Sequence, residues 1–367
     1  MTLNVPYVNL SGEAHALKNE MLAAFEKVLL GGDYILGPEL KLFEAEFASY
    51  CQAKRSIGLS DGTHALIVIL RALGMQGGDE VITAPNSFIA STSSIALVGA
   101  KPVFADIRSD GNIDPERMES AITSRTKALM PVHLTGRPAR MTEITEIAKK
   151  HHLFVIEDAC QAVGAELDGK RVGSWGDAAA FSLHPLKNLR AIGDGGMVTT
   201  NNPELAEKIA CERNHGLINR ETCERWSFNC RLDELQAALV RIQLKYLDTW
   251  TEQRRKLAFR YNDLLRPFVE VPDEGVGEKS VYQTYVIKAE RRDALLAHLR
   301  ENGVVALIHY ATPIHLQPAA RSLGYSAGDF PNTMKHVGKI ISLPLFPSMT
   351  HEQQDRVIEL IANFYKK

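Results

Sequence analysis

The sequence predicts an α/β protein, with a mostly parallel sheet covered by helices on both faces and a smaller α+β region after it. Through about residue 245, short solid apolar runs alternate with helix-like stretches, the pattern of strands buried on both faces. Asp106, His133, Asp158 and Ser182 stand at the carboxyl ends of such runs, where open parallel sheets collect ligands. From about residue 250 the runs shorten and mix with helices. A chain of 367 residues has room for two domains, placed at 1–245 and 246–367.

Each element has its own justification. Asp79–Ala84 and Lys101–Asp106 are short and apolar, and the stretch Ser87–Val98 between them is helix-like. Ala128–His133 reads as the next strand. A helix through Ile144–Lys150 leads into Leu153–Asp158, and Ala178–Ser182 and Gly196–Thr200 follow as strands. Leu232–Thr249 carries apolar residues at helical spacing and runs on through a charged stretch to Tyr261, predicting one or two long helices that bridge to the second domain. In that domain Val281–Ile287 and Val304–Ile308 read as strands, and Arg291–Asn302 and His351–Tyr365 as helices.

Composition narrows the function. Hydrophobic residues at 45% and charged residues at 23% are ordinary for a soluble globular protein. The net charge of −2 offers no global field for nucleic acid or an anionic membrane, so any anionic ligand needs a local site. No apolar run approaches the ~18 residues of a membrane span, and Met1–Tyr7 lacks the layout of a signal peptide. Five cysteines without a CxxC pair argue against a disulfide framework or a metal site and for the reducing cytoplasm.

Lys187 follows the apolar run Ala178–Phe181, in Phe181-Ser182-Leu183-His184-Pro185-Leu186-Lys187. An amine just past a buried strand is desolvated, which lowers its pKa and readies it to attack a carbonyl and form a Schiff base. Asp158 ends another buried strand, where a carboxylate needs a cationic or hydrogen-bonding partner; a protonated pyridine nitrogen would serve, as would helix capping. Ser60-Asp61-Gly62-Thr63 opens a helix-like stretch, Ala65–Leu73, and suits a phosphate. Phe88 offers a flat apolar face to an aromatic ring.

These segments, with Gly193-Asp194-Gly195-Gly196, Arg213-Asn214-His215-Gly216 and Asn229 through Gln236, resemble the DegT/StrS family from Tyr34-Ile35-Leu36-Gly37-Pro38 to Ser342–Pro347. The resemblance implies a pyridoxal 5'-phosphate-dependent nucleotide-sugar aminotransferase of fold type I, built on a seven-stranded-type sheet, with pyridoxamine 5'-phosphate as the intermediate cofactor form. It implies that Lys187 is the Schiff-base lysine and proton shuttle and that Asp158 pairs with the pyridine nitrogen. It places Gln161 near the ring's phenolic oxygen, Phe88 on the ring, and Gly62, Thr63 and Ser182 at the phosphate.

Asn229 matches an asparagine that reaches the neighbouring subunit's cofactor, implying a homodimer with shared sites. Tyr34, His184, His309 and His315 are candidates for the sugar-nucleotide side. Arg190 stands where many relatives carry glycine and joins that set. The family's usual donor is L-glutamate, and the Gly193–Gly196 loop leans toward C3 of a dTDP-keto-deoxyhexose over C4 or C2. Family dehydratases carry histidine in the lysine position, so Lys187 argues against that branch. A cofactor-binding regulatory protein is a further reading; a nicotinamide enzyme would need a G-x-G-x-x-G after the first strand, which is lacking.

Overall fold

A computed structural model describes residues 4–366, so Met1–Leu3 of the N-terminal stretch lie outside it. Helices α1 (Leu10–Gly31) and α2 (Pro38–Tyr50) precede β1 (Arg55–Leu59). The alternation then runs through α3 (Gly62–Ala72), β2 (Glu80–Thr83), α4 (Ile89–Leu97), β3 (Lys101–Phe104), α5 (Pro115–Ser120), β4 (Thr126–Met130), α6 (Met141–His151) and β5 (Phe154–Asp158). Two-residue strands β6 (Glu166–Leu167) and β7 (Lys170–Arg171) lead to β8 (Ala178–Ser182), β9 (Gly196–Thr200) and α7 (Pro203–Glu212).

Seven strands form one sheet in the order β1-β9-β8-β5-β4-β2-β3. Only β9 runs antiparallel to its neighbours within it. Side chains alternate faces along a strand, and β8 shows the result. Ala178 and Ala180 enter one apolar core with α3 and α7, while Ala179 and Phe181 enter another with α2 and α8 (Glu234–Leu244). Both faces are covered, which is why these strands read as solid apolar runs.

The long bridging segment is two helices, α8 and α9 (Leu247–Leu265), divided at Lys245 and Tyr246. Leu257, Ala258, Tyr261 and Leu265 of α9 share a core with β11 (Tyr285–Lys288), α10 (Arg292–Glu301), β12 (Ile340–Leu343) and α12 (His351–Lys366). Val5, from the other end of the chain, is buried in that core too. The short strand β10 (Glu278–Lys279) pairs with β6, and α11 (Pro331–Val337) precedes β12.

Two expected strands differ. Of the 281–287 run only residues 285–287 pair, within β11 (Tyr285–Lys288) and antiparallel to β12. Tyr282 has φ 44°, which no extended strand accommodates, and the N–H groups of Val281 and Thr284 donate to the Gly136 and Thr135 carbonyls instead. Residues 304–308 make only single bridges, Val304 with Val5 and Leu307 with Ser342. That segment divides its backbone bonds between two neighbours, so no continuous ladder forms.

Candidate active site

The site lies at the carboxyl ends of the parallel strands. β5 delivers Asp158, buried, at its last residue, and no helix follows, which removes the capping reading. Asp158 Oδ2 accepts from Ser91 Oγ at 2.6 Å, and Oδ1 accepts from the Cys160 N–H at 3.3 Å. The preceding Glu157 has a different task. Its carboxylate accepts from the N–H groups of Gly173, Trp175 and Gly176, each at 2.9 Å, and lies 3.1 Å from His133 Nε2. His133 Nδ1 accepts from the Ala139 N–H, so His133 is a satisfied core residue and its Nε2 donates to Glu157. Asp106 is likewise structural, accepting from the N–H groups of Asn332 and Thr333 at the start of α11.

β8 delivers the lysine loop. Lys187 N–H donates to the His184 carbonyl at 2.8 Å, closing a β-turn in which Pro185 sets φ of the second residue. The exposed His184 accepts the Leu186 N–H at Nδ1, and Asn188 donates to the Val281 carbonyl. The loop is thereby pinned on both sides. Lys187 is half-buried, and desolvation holds its amine below the ordinary 10.5 although the Cys160 and Asp158 side chains oppose the shift. Burial also pushes the Cys160 thiol well up. Nearby His309 is lowered to about 4 by burial and by the Lys187 charge, and its Nδ1 lies 2.9 Å from Ser342 Oγ.

α3 begins at Gly62, capped by Asp61, whose carboxylate accepts from the His64 N–H at 2.8 Å. The first N–H groups, of Gly62 and Thr63, have no partner within the helix. A Cβ on Gly62 would fall 2.9 Å from both Ser182 Cβ and Cys160 Sγ, so only glycine lets α3 approach β8 this closely. On the other side, Gln161 Oε1 accepts from the Thr135 N–H at 2.6 Å and Gln161 Nε2 donates to Tyr310 Oη at 3.2 Å. The Tyr310 ring lies 5.6 Å from that of Phe88, which is 51% exposed and so open to a ring laid on it.

Asp158, Gln161, Lys187, His309, Phe88, Gly62, Thr63 and Ser182 thus converge. The remaining candidates are held elsewhere. Tyr34 is exposed and donates to the Leu29 carbonyl, and Asn229 is exposed on a bridge with Asn214. Arg190 is ion-paired with the buried Glu13 beside the Trp250 ring, which commits its charge within the protein. His315 is buried against Phe330 and Phe104, and burial lowers its pKa. Ser91, Cys160, Thr135 and Tyr310 were missed as contributors. Ser91 had one signal, a hydroxyl three residues after Phe88 at a helix start.

The residues fit pyridoxal phosphate. A buried carboxylate with hydrogen bonds but no ion pair among the described residues suits a protonated ring nitrogen. The free N–H groups of α3 suit a phosphate, the desolvated amine suits a carbonyl, and the open Phe88 face suits the ring. Such a site on this sheet defines a pyridoxal-phosphate-dependent aminotransferase of fold type I.

The particular family follows from comparison. The chain belongs to the DegT/DnrJ/EryC1/StrS aminotransferase family, which it matches over residues 15–362. It is 46% identical to a pleiotropic regulatory protein of Geobacillus stearothermophilus, covering 99% of each chain. It is 40% identical to the dTDP-3-amino-3,4,6-trideoxy-alpha-D-glucose transaminase of Streptomyces venezuelae, covering 100% of this chain and 97% of that one. The crystal structure of S. venezuelae DesV with a ketimine intermediate superposes with a TM-score of 0.97 at 40% identity, covering 100% of both chains. NtdA of Bacillus subtilis with bound PMP superposes with a TM-score of 0.92 at 33% identity, covering 99% of this chain and 86% of that one.

Proposed function

We propose that this protein transfers an amino group from L-glutamate to C3 of a dTDP-linked keto-deoxyhexose, for amino-sugar biosynthesis in the cytoplasm. The observation that carries the chemistry is the convergence of desolvated Lys187 with buried Asp158 beside the Gly62–Ser182 contact. The sugar and its position follow from relatives whose names give dTDP-3-amino sugars. Gly62, Thr63 and Ser182 would hold the cofactor phosphate, Phe88 its ring face and Gln161 its phenolic oxygen. When bound, pyridoxal phosphate supplies an electron sink for the carbanion left as a proton leaves carbon.

The chain's own residues do the rest. Asp158 keeps a proton on the ring nitrogen. Lys187 Nζ, held below its ordinary pKa, carries the proton away from the donor's α-carbon. In the second half-reaction it returns a proton to the sugar carbon that receives the amine. A positioned group of this kind contributes roughly 10²–10⁴-fold. His309, neutral above about pH 4, adds no positive charge to compete with that amine.

The name of the Geobacillus relative gives a second reading, a cofactor-binding regulatory protein. One assay separates the two. Purified protein given L-glutamate and a dTDP-3-keto-6-deoxyhexose is expected to form 2-oxoglutarate and amino sugar one for one. Bound cofactor without turnover on 3-keto, 4-keto or 2-keto sugars would overturn the enzymatic reading; faster turnover of a 4-keto sugar would overturn the C3 assignment alone.

A further inference from the structure

The connection from β2 to α4 carries more than the exposed Phe88 ring. Phe88 is the N-cap of α4, and Ser91 sits three residues on, its N–H donating to the Phe88 carbonyl at 3.3 Å. The Ser91 side chain is 1% exposed and Ser87 is 3% exposed. Ser87 Oγ lies 3.0 Å from Ser91 Oγ, and Ser91 Oγ lies 2.6 Å from Asp158 Oδ2.

Each hydroxyl has one proton to give. At 2.6 Å from a carboxylate, Ser91 gives its proton to Asp158, in the range of charge-assisted O–H···O⁻ bonds. Ser91 oxygen is then left to accept from Ser87, whose hydroxyl lies closer to it, at 3.0 Å, than to its other acceptor, the Phe88 carbonyl at 3.3 Å. The result is a one-directional chain, Ser87 to Ser91 to Asp158, in which each bond polarises the next.

We propose that Ser91 is a positioning residue for the cofactor: with Ser87 behind it, it holds the Asp158 carboxylate aimed at the ring nitrogen. The proposal rests on the reading of Asp158 as that nitrogen's partner. A buried carboxylate loses stability as an anion, and donors to its oxygens restore it. Asp158 accepts from Ser91 of α4 and from the Cys160 N–H of its own turn, and the Cys160 thiol lies against it as well. Removing the first leaves the carboxylate free to turn from the ring nitrogen and weakens its hold on that nitrogen's proton. A less cationic ring withdraws fewer electrons, so the nitrogen joined to Lys187 becomes more basic. One turn of backbone therefore sets both the stacking ring and the charge on the stacked ring.

The test uses the cofactor-loaded protein and reads spectra and affinity, not turnover. The visible absorbance band is titrated with pH, and the cofactor dissociation constant is measured, for wild type, Ser91→Ala, Ser91→Thr and Ser87→Ala. Other titratable groups facing Asp158 are Lys187, Cys160 and Tyr310, and all four proteins retain them. Ser91→Ala is expected to move the band transition to higher pH and weaken cofactor binding about tenfold, the scale of one hydrogen bond to a charge. Ser91→Thr restores both, and Ser87→Ala moves them the same way by less. A band transition and affinity unchanged in Ser91→Ala overturn the proposal. If that variant does not fold, unchanged values in Ser87→Ala overturn it. Asp158→Asn is the separate control: a spectrum and affinity equal to wild type there would sink the underlying reading of Asp158 instead.

Discussion

Lys187, His309 and His336 all have protonation set by burial. His336 is lowered to about 4, mainly by desolvation and then by the Lys288 charge, with Asp110 and Glu270 opposing; its Nδ1 has no hydrogen-bond partner. In the unfolded chain such a histidine titrates near 6.5. Between pH 6.5 and 4 the unfolded state therefore binds protons that the folded state refuses, and stability falls as pH falls. The urea midpoint is expected to drop from pH 7 to pH 4.5, and to drop less steeply in His336→Gln. Equal slopes would show that His336 is not a source of the loss. Asp158 and Lys187 were legible in the sequence because the first ends an apolar strand and the second lies in the short loop after another. Ser91 and Tyr310 were not, because their importance comes from partners 67 and 149 residues away, Asp158 and Gln161.

The elements that carry the site are tied by buried polar groups. The buried Glu234 carboxylate, at the start of α8, accepts N–H groups from Gly37 at 3.0 Å, Leu40 at 3.1 Å and Glu39, satisfying the first turn of α2. A Cβ on Gly37 would fall 2.7 Å from that carboxylate, so a larger residue there would push Glu234 off the turn it caps. Ile35 bridges to Asp233, and the Glu234 N–H donates to the Tyr34 carbonyl. Tyr34 and the start of α8 are thereby held as one unit. Six of the seven strands of the large sheet were legible because strands covered on both faces have a distinctive pattern; β1, with Arg55 and Ser56 at its start, was not read as one. Residues 281–284 and 304–308 also carry β-branched residues, yet their backbone bonds go to loops and single bridges, which no local pattern encodes.

At the scale of the molecule, the two proposed domains are stitched across the site. The Ile314 N–H donates to the Pro85 carbonyl, Asn332 and Thr333 donate to Asp106, and Asn188 donates to the Val281 carbonyl. Outside that body, Ile218 and Trp226 are 58% and 89% exposed on the segment that carries Asn229. Apolar exposure of this kind suits a subunit interface, and we propose a homodimer in which Asn229 completes the partner's site. Random exchange of inactive Lys187→Ala with inactive Asn229→Asp chains should return about a quarter of wild-type activity, because half the dimers carry one intact site of two. No recovery in verified mixed dimers would contradict shared sites. The central claim, that the assembled fold presents Lys187 as a Schiff-base amine, has a more direct test. Borohydride reduction of the cofactor-loaded protein followed by peptide mass spectrometry should place the reduced cofactor on Lys187, and Lys187→Ala should carry none. Label on another lysine, or label persisting in Lys187→Ala, would contradict the account.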